Sequence, residues 1–160
     1  KTQEPQEIFP APLTENAYEH CVRLQYFNST PEKSGFEEDM TPQRDITDIF
    51  RNGWSAGEKG AYLEFTFRGT GAAVQYRRVK DGPAPIATAV VENPETACVL
   101  DGTFDETWGD KMQLITVAEH LPYGEHRVHV EITETHAEDK AEFYLVSVIV
   151  SGVREEGNTK

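Results

Sequence analysis

Apolar residues occupy every second position after Gly60: Ala61, Leu63, Phe65 and Phe67 alternate with Tyr62, Glu64, Thr66 and Arg68. Successive side chains of a strand point to opposite faces, so this period predicts a strand with one buried face. Gly69-Thr70-Gly71 turns the chain, and residues 72–79 read as a second strand, with Val74, Tyr76 and Arg78 on one face and Ala73, Gln75 and Arg77 on the other. Asp81-Gly82-Pro83 closes it, and residues 86–92, rich in β-branched side chains, form the next strand. Residues 97–101 and 112–118 give two more. Residues 126–133 alternate cleanly, with Val128, Val130 and Ile132 inward and Arg127, His129 and Glu131 outward. Residues 142–151 are apolar on both faces, the pattern of a strand in mid-sheet with both sides covered.

The first third of the chain is less regular. Residues 20–27 predict a strand whose core face is Val22, Leu24 and Tyr26, leaving Cys21, Arg23, Gln25 and Phe27 outward. Residues 34–44 read as an acidic loop, residues 45–50 as one helical turn or an irregular edge, and Asn52-Gly53-Trp54-Ser55 as turn chemistry around one large aromatic. About eight strands separated by turn signals predict an all-β fold, an antiparallel β-sandwich of jelly-roll type. Residues 1–15, with three of the nine prolines, read as an extended N-terminal arm or linker pinned by Ile8, Phe9 and Leu13. Residues 16–153 form the sandwich and residues 154–160 a flexible tail. The chain starts at Lys1 rather than Met, so a leader or neighbouring domain is expected to precede it.

Charge narrows the partners. With 28 acidic and 15 basic residues the chain carries a formal charge of −13, a field that repels phosphate backbones and anionic lipid. Nucleic acid and membrane insertion are therefore not expected, whereas a neutral polyol meets no such barrier. Eight Phe, six Tyr and two Trp concentrate apolar area in few side chains, which suits a folded sandwich. Cys21 and Cys98 lack the spacing of a zinc or redox motif and read as two free, buried thiols, with a disulfide as the alternative. Asn28-Ser29-Thr30 matches a glycosylation acceptor, weakened by the Pro31 that follows.

The order of motifs carries a resemblance. Asn52-Gly53-Trp54, then residues 60–70, then Val74-Gln75-Tyr76-Arg77-Arg78, then Leu100-Asp101-Gly102 ahead of residues 104–109, then Gly124-Glu125-His126-Arg127-Val128 and the closing strand to Gly152 together resemble the galactose-binding-like jelly-roll domains attached to SGNH/GDSL-type esterases. The likeness runs from about Asp45 to Val153. It implies a non-catalytic, secreted or cell-surface accessory module that binds a polysaccharide or oligosaccharide weakly for a tethered catalytic domain. The alternative is a structural module packed against that domain without a ligand. The resemblance further implies a structural calcium ion, although Asp101-Gly102 and Asp105 supply only a fragment of the 6–8 oxygen ligands it takes.

Catalytic chemistry has no foothold. The one Gly-Asp, Gly109-Asp110, is followed by Lys111 rather than Ser, and no Asp stands three residues before any of the five His. Adjacent carboxylates such as Asp105 and Glu106 face opposite ways on a strand and suit solvated loops better than acid–base work. His126 and His129, three apart, fall on opposite faces, with His126 on the Val128 side. Sugar recognition needs an aromatic face together with planar polar groups that chelate hydroxyls. Trp108 with Asp105 and Glu106, Trp54 with Asn52, and Tyr76 with Arg77 or Arg78 are the candidates.

Overall fold

The computed structural model describes residue 18, residues 20–106 and residues 108–153. The expected arm at residues 1–15 and tail at residues 154–160 lie outside the described residues. Twelve strands follow one another: β1 (Val22–Leu24), β2 (Glu32–Ser34), β3 (Glu37–Glu38), β4 (Trp54–Ala56), β5 (Tyr62–Gly69), β6 (Gly71–Lys80), β7 (Ile86–Val91), β8 (Cys98–Asp101), β9 (Thr103–Phe104), β10 (Lys111–Ala118), β11 (Gly124–Glu134) and β12 (Phe143–Ser151). The one helical turn among the described residues is a 3-10 turn at Pro94–Thr96, capped by the Asn93 side chain on the Glu95 amide.

Two sheets result. One runs β10-β6-β12-β4-β3, with β1 also paired to β12 and β9 to β6; the other runs β2-β5-β11-β7-β8. All pairings are antiparallel except β6 with β9. The core lies between them. Leu63, Phe65, Phe67, Val128, Val130, Ile132, Ala87 and Ala89 face Trp54, Val74, Tyr76, Phe143, Leu145 and Val148, in the alternation expected when two sheets bury one face each. This is the predicted jelly-roll sandwich, and β12 does sit in mid-sheet between β6 and β4.

The structure corrects several local expectations. Residues 34–44 are not a plain loop, since β2 ends and β3 falls there, and Trp54 opens a strand rather than decorating a turn. Asn52 bends back at φ 63, and Gly53 passes so close to β12 that a Cβ there would stand 2.1 Å from the Leu145 carbonyl oxygen. Glycine is thus required to seat β4. Both cysteines are free, but Cys21 is exposed and Cys98 half-buried rather than both being core thiols. The Asn28 side chain accepts from the Gln25 amide and donates to the Arg23 carbonyl, so it works as a turn brace.

An irregularity in β12 shapes the outer face of the first sheet. The register with β6 shifts between Leu145, opposite Tyr76, and Ser147, opposite Gln75. A bulge of this kind inserts one residue and re-aims its neighbours. Here Leu145 and Val148 both join the core while Ser147 turns toward Gln75 on the other face.

Candidate functional site

The outer face of the first sheet carries a cleft. Its strands lie in the order β1, β12, β6, β10, and register sets Ser147 beside Gln75 and Gln75 beside Leu114, with Met112 opposite Arg77. The Ser147 hydroxyl accepts from Arg23 Nε at 3.0 Å and donates to Gln75 Oε1 at 2.7 Å, a relay across three strands. Segment 39–52, the connection from β3 to β4, forms the wall. Together floor and wall enclose a pocket of about 280 Å³ lined by Arg23, Gln25 and Gln75 from the strands and their ends, by Met112, and by Gln43, Ile49, Arg51 and Asn52 from the wall.

The wall is pinned from below. Tyr144 on β12 donates its hydroxyl to Asp39 at 2.7 Å and accepts from the Gly53 amide at 3.2 Å. Burial pushes the Asp39 carboxyl up, but hydrogen bonds from Thr41 and Tyr144 and the charge of Arg51 outweigh it and hold the carboxyl below its ordinary value. Burial, with the Asp39 bond, pushes the Tyr144 phenol far up. Arg51 donates to Asp48 at 3.0 Å, and the Asp45 carboxylate caps the turn through the amides of Thr47 and Asp48.

Among the described residues no carboxylate lines the pocket, and Arg51 is neutralised by Asp48 and Asp39. Arg23 has only the Ser147 hydroxyl, so its terminal N–H groups have no carboxylate among the described residues. Partial burial lowers its pKa, although a guanidinium stays charged at any physiological pH. Gln75 spends its oxygen on Ser147, leaving its amide N–H groups toward the cleft. The Gln25 and Gln43 amides donate to the carbonyls of Arg51, Val146 and Asp45, which leaves their side-chain oxygens as acceptors, so the pocket offers both donors and acceptors beside Ile49 and Met112.

The sequence candidates divide. Arg77 and Asn52 are on this face: Arg77 donates through Nε to Asp110 at 2.7 Å and lies 5.3 Å from the Phe50 ring in the wall, and Asn52 lines the pocket. Trp108, 72% exposed, stands on the β9–β10 loop with its edge against Phe104, and Asp105 and Glu106 are exposed beside it. Arg77 therefore ties the cleft wall to the tryptophan loop.

Three candidates fall elsewhere. Trp54 is wholly buried, edge-on to Phe65, and offers no face to a ligand. Tyr76 is buried and stacked on Phe143. Arg78, on the core side of β6, holds the β8–β9 connection through the carbonyls of Thr103 and Asp101. Sequence reading missed Arg23, Gln25, Gln75 and Ser147 as site residues. Arg23 was legible as an outward position, whereas Gln25 is buried despite its outward place in the alternation, and the bulge that turns the buried Ser147 toward Gln75 leaves no mark in the sequence.

The expected calcium does not fit its fragment. The Asp101 carboxylate accepts from the Thr103 amide at 2.8 Å and faces Arg78 at 3.8 Å. Among the described residues no three His, Cys, Asp or Glu side chains gather as a metal set. On the other sheet, a second cavity of about 380 Å³ lies among Glu64, Glu92, Glu125, Arg127 and His129. Its groups answer one another: His129 stacks on Tyr62 and lies between Glu64 and Glu131.

Comparison with known proteins fits this architecture. No protein-family model and no curated protein matches the chain. Among solved structures it is similar, at 44% identity and a TM-score of 0.85, to a two-domain esterase active on acetylated mannans, over 94% of this chain and 41% of the esterase. That esterase was also crystallised with mannopentaose. The fold is shared with a CBM36 module of a multidomain xylanase from the hindgut metagenome of Trinervitermes trinervoides (TM-score 0.54, 8% identity, 85% of this chain and 100% of that one). It is shared too with a CBM35 module from Cellvibrio japonicus (TM-score 0.50, 17% identity, 83% and 94%). The chain thus has the jelly-roll fold of these modules and is similar over nearly its whole length to part of that esterase. It spans about two fifths of the esterase it matches.

Proposed function

We propose that the chain is the non-catalytic accessory module of an extracellular esterase acting on acetylated mannan-type polysaccharide, and that it holds the glycan chain on the outer face of the first sheet, from the Arg23 and Gln75 cleft to the Trp108 loop. The observation that carries this reading is the 44% identity over nearly the whole chain to part of an esterase active on acetylated mannans. The geometry agrees with it. An exposed indole gives the flat apolar face that stacks on a sugar ring, and the neighbouring cleft supplies fixed N–H donors. Binding is weak per site and gains from tethering, because a linked enzyme sees a raised local concentration of substrate. Calorimetric titration of the chain with manno-oligosaccharides tests it, with Trp108→Ala as the control. Saturable heat lost in the variant supports the reading, and no heat with any mannan ends it.

A second reading has its own observation. Ile49, Met112 and Leu114 line up on the same outer face, and Met40 and Ile46 in the wall are 69% and 90% exposed. Apolar surface of this kind suits packing against a catalytic domain of the same polypeptide. In that case the isolated chain binds the separately produced esterase domain and has no affinity for glycan.

A further inference from the structure

We infer that Tyr18 is a second sugar-binding aromatic of this chain, and that Tyr18 and Trp108 bracket the cleft, so that the outer face grips an extended run of neutral hexose units rather than one. This rests on the mannan-binding reading and says how much of the polymer the face takes.

Two ties place Tyr18. Its carbonyl accepts from the Cys21 thiol at 2.8 Å, at the entry to β1, and its hydroxyl is hydrogen-bonded to the Thr116 hydroxyl on β10. Those strands are opposite sides of the β1-β12-β6-β10 face, about 14 Å apart over three strand spacings. Thr116 points outward, because Val117 beside it belongs to the core. Tyr18 therefore lies over the outer face, along the row in which register aligns Arg23, Ile149, Ala73 and Thr116. Ala73 agrees with this: it is 0% exposed yet stands outside the core cluster, so it is covered from the outer side. Tyr18 itself is 38% exposed, a side chain fixed at both ends with part of its surface open.

Spacing along β10 then sets the size of the ligand. Thr116, Leu114 and Met112 share one face, which puts the Thr116 row about 7 Å from the row of Gln75 and Leu114 and about 13 Å from that of Met112. Trp108 stands on the β9–β10 loop, at the opposite end of β10 from Thr116. One sugar seated in the cleft meets neither aromatic, whereas a run of several meets both. Between them the cleft supplies what hydroxyls need, since each hydroxyl both gives and takes a hydrogen bond. The terminal N–H groups of Arg23 and the amide N–H groups of Gln75 donate, and the side-chain oxygens of Gln25 and Gln43 accept. Aromatic rings at the two ends with amides between them match a chain of neutral pyranoses, whose C–H faces stack while their hydroxyls are chelated. Ser147 holds Arg23 and Gln75 in place before the ligand arrives, so their rotamer freedom does not oppose binding.

The test titrates the chain with mannotriose and with mannohexaose by calorimetry. The unaltered chain is expected to bind mannohexaose more tightly than mannotriose. Tyr18→Ala is expected to lose about tenfold on mannohexaose, the size of one aromatic stacking contact, and much less on mannotriose. Tyr18→Phe keeps the ring without the hydroxyl tie and is expected to recover most of that loss. Equal affinity for the two lengths in the unaltered chain overturns the inference and leaves mannan binding standing, as does a Tyr18→Ala variant that matches the unaltered chain on both. A loss of the same factor on both lengths, or one as large in Tyr18→Phe as in Tyr18→Ala, assigns Tyr18 to holding the fold and also overturns it. Failure of both oligosaccharides to bind the unaltered chain overturns the inference together with the reading beneath it.

Discussion

Arg77 and Asp110 are joined at 2.7 Å across the gap between β6 and the loop that carries Trp108. Asp110 also accepts from the Lys80 amide at 3.0 Å, so both of its oxygens are engaged. Removing the guanidinium leaves a half-buried carboxylate with one partner fewer. Arg77→Met is expected to lose about 1.5–3 kcal/mol, the range for hydrogen bonds to charged groups, in urea denaturation, and to loosen the tryptophan loop. Acrylamide quenching reads the second effect. Trp54 is inaccessible and Trp108 is 72% exposed, so the quenchable emission belongs to Trp108. An unchanged midpoint with unchanged quenching would show that the pair holds nothing.

Trp54 is a core residue and its variants are expected to report stability alone. Trp54→Ala should cost about 3–5 kcal/mol, as for other large aromatics cut to alanine in a core. Its indole nitrogen is buried without a hydrogen-bond partner among the described residues, which already carries a desolvation cost of about 1–3 kcal/mol. Trp54→Phe removes that cost along with some volume, so its loss should be well under that of alanine. Thermal melts of the two variants check the order, and glycan affinity at a temperature where both are folded should not change. A Trp54→Phe loss equal to that of alanine would contradict the assignment.

The long strands were legible because their burial alternates: Leu63, Phe65 and Phe67 in β5, or Val128, Val130 and Ile132 in β11, announce a face by composition alone. Strands β2, β3 and β9 did not, being two or three residues long and, in β2 and β3, without a buried position. They exist because a longer neighbour offers them a free edge, which is tertiary information. The same holds for the site. Trp108 could be picked out as an aromatic in a polar loop. Arg23, Gln75 and Ser147 become one site only through the pairing of β1, β12 and β6, and Ser147 only through a shift of register. Trp54 misled because Asn52-Gly53 reads as a turn whether the next residue leaves the sandwich or enters its core.

His126 gives a pH dependence of defined sign. Its ring is 8% exposed, with Nδ1 2.5 Å from Glu92 and Nε2 2.8 Å from the Pro122 carbonyl, so both nitrogens face acceptors. Burial opposes the charge, but these two bonds and the Glu92 carboxylate outweigh it and raise the pKa. The folded value lies above the unfolded one. The stabilisation is therefore whole below about pH 6.5, the ordinary histidine value, and is lost as pH rises through the folded value. His136, whose pKa the Asp139 hydrogen bond raises, acts in the same direction on the exposed turn after β11. Comparing His126→Gln with the unaltered chain in denaturation between pH 5 and 9 isolates the buried ring. The difference should be large at the acid end and shrink toward the alkaline end. A difference that grows with pH would contradict the pairing.

Asp39 works in the opposite sense. Its carboxyl is held low, so the stability it supplies is present above the unfolded value near ~3.9 and is lost as pH falls through the folded value. Tyr144→Phe removes the hydroxyl that bridges Asp39 and the Gly53 amide. It should cost about 1–3 kcal/mol at pH 7 for the polar groups left unpaired. It should also flatten the acid limb of the stability profile, and a limb left as steep as before would show that Asp39 is held by other means.

Whether the outer face of the first sheet receives a mannan chain is tested most directly by calorimetry. The 160-residue chain is titrated with acetylated manno-oligosaccharide, alongside Trp108→Ala and Gln75→Glu. Saturable binding by the unaltered chain is expected, weakened about tenfold or more by either substitution while both variants melt as it does. Absence of binding by the unaltered chain, or full affinity in both variants, would contradict it.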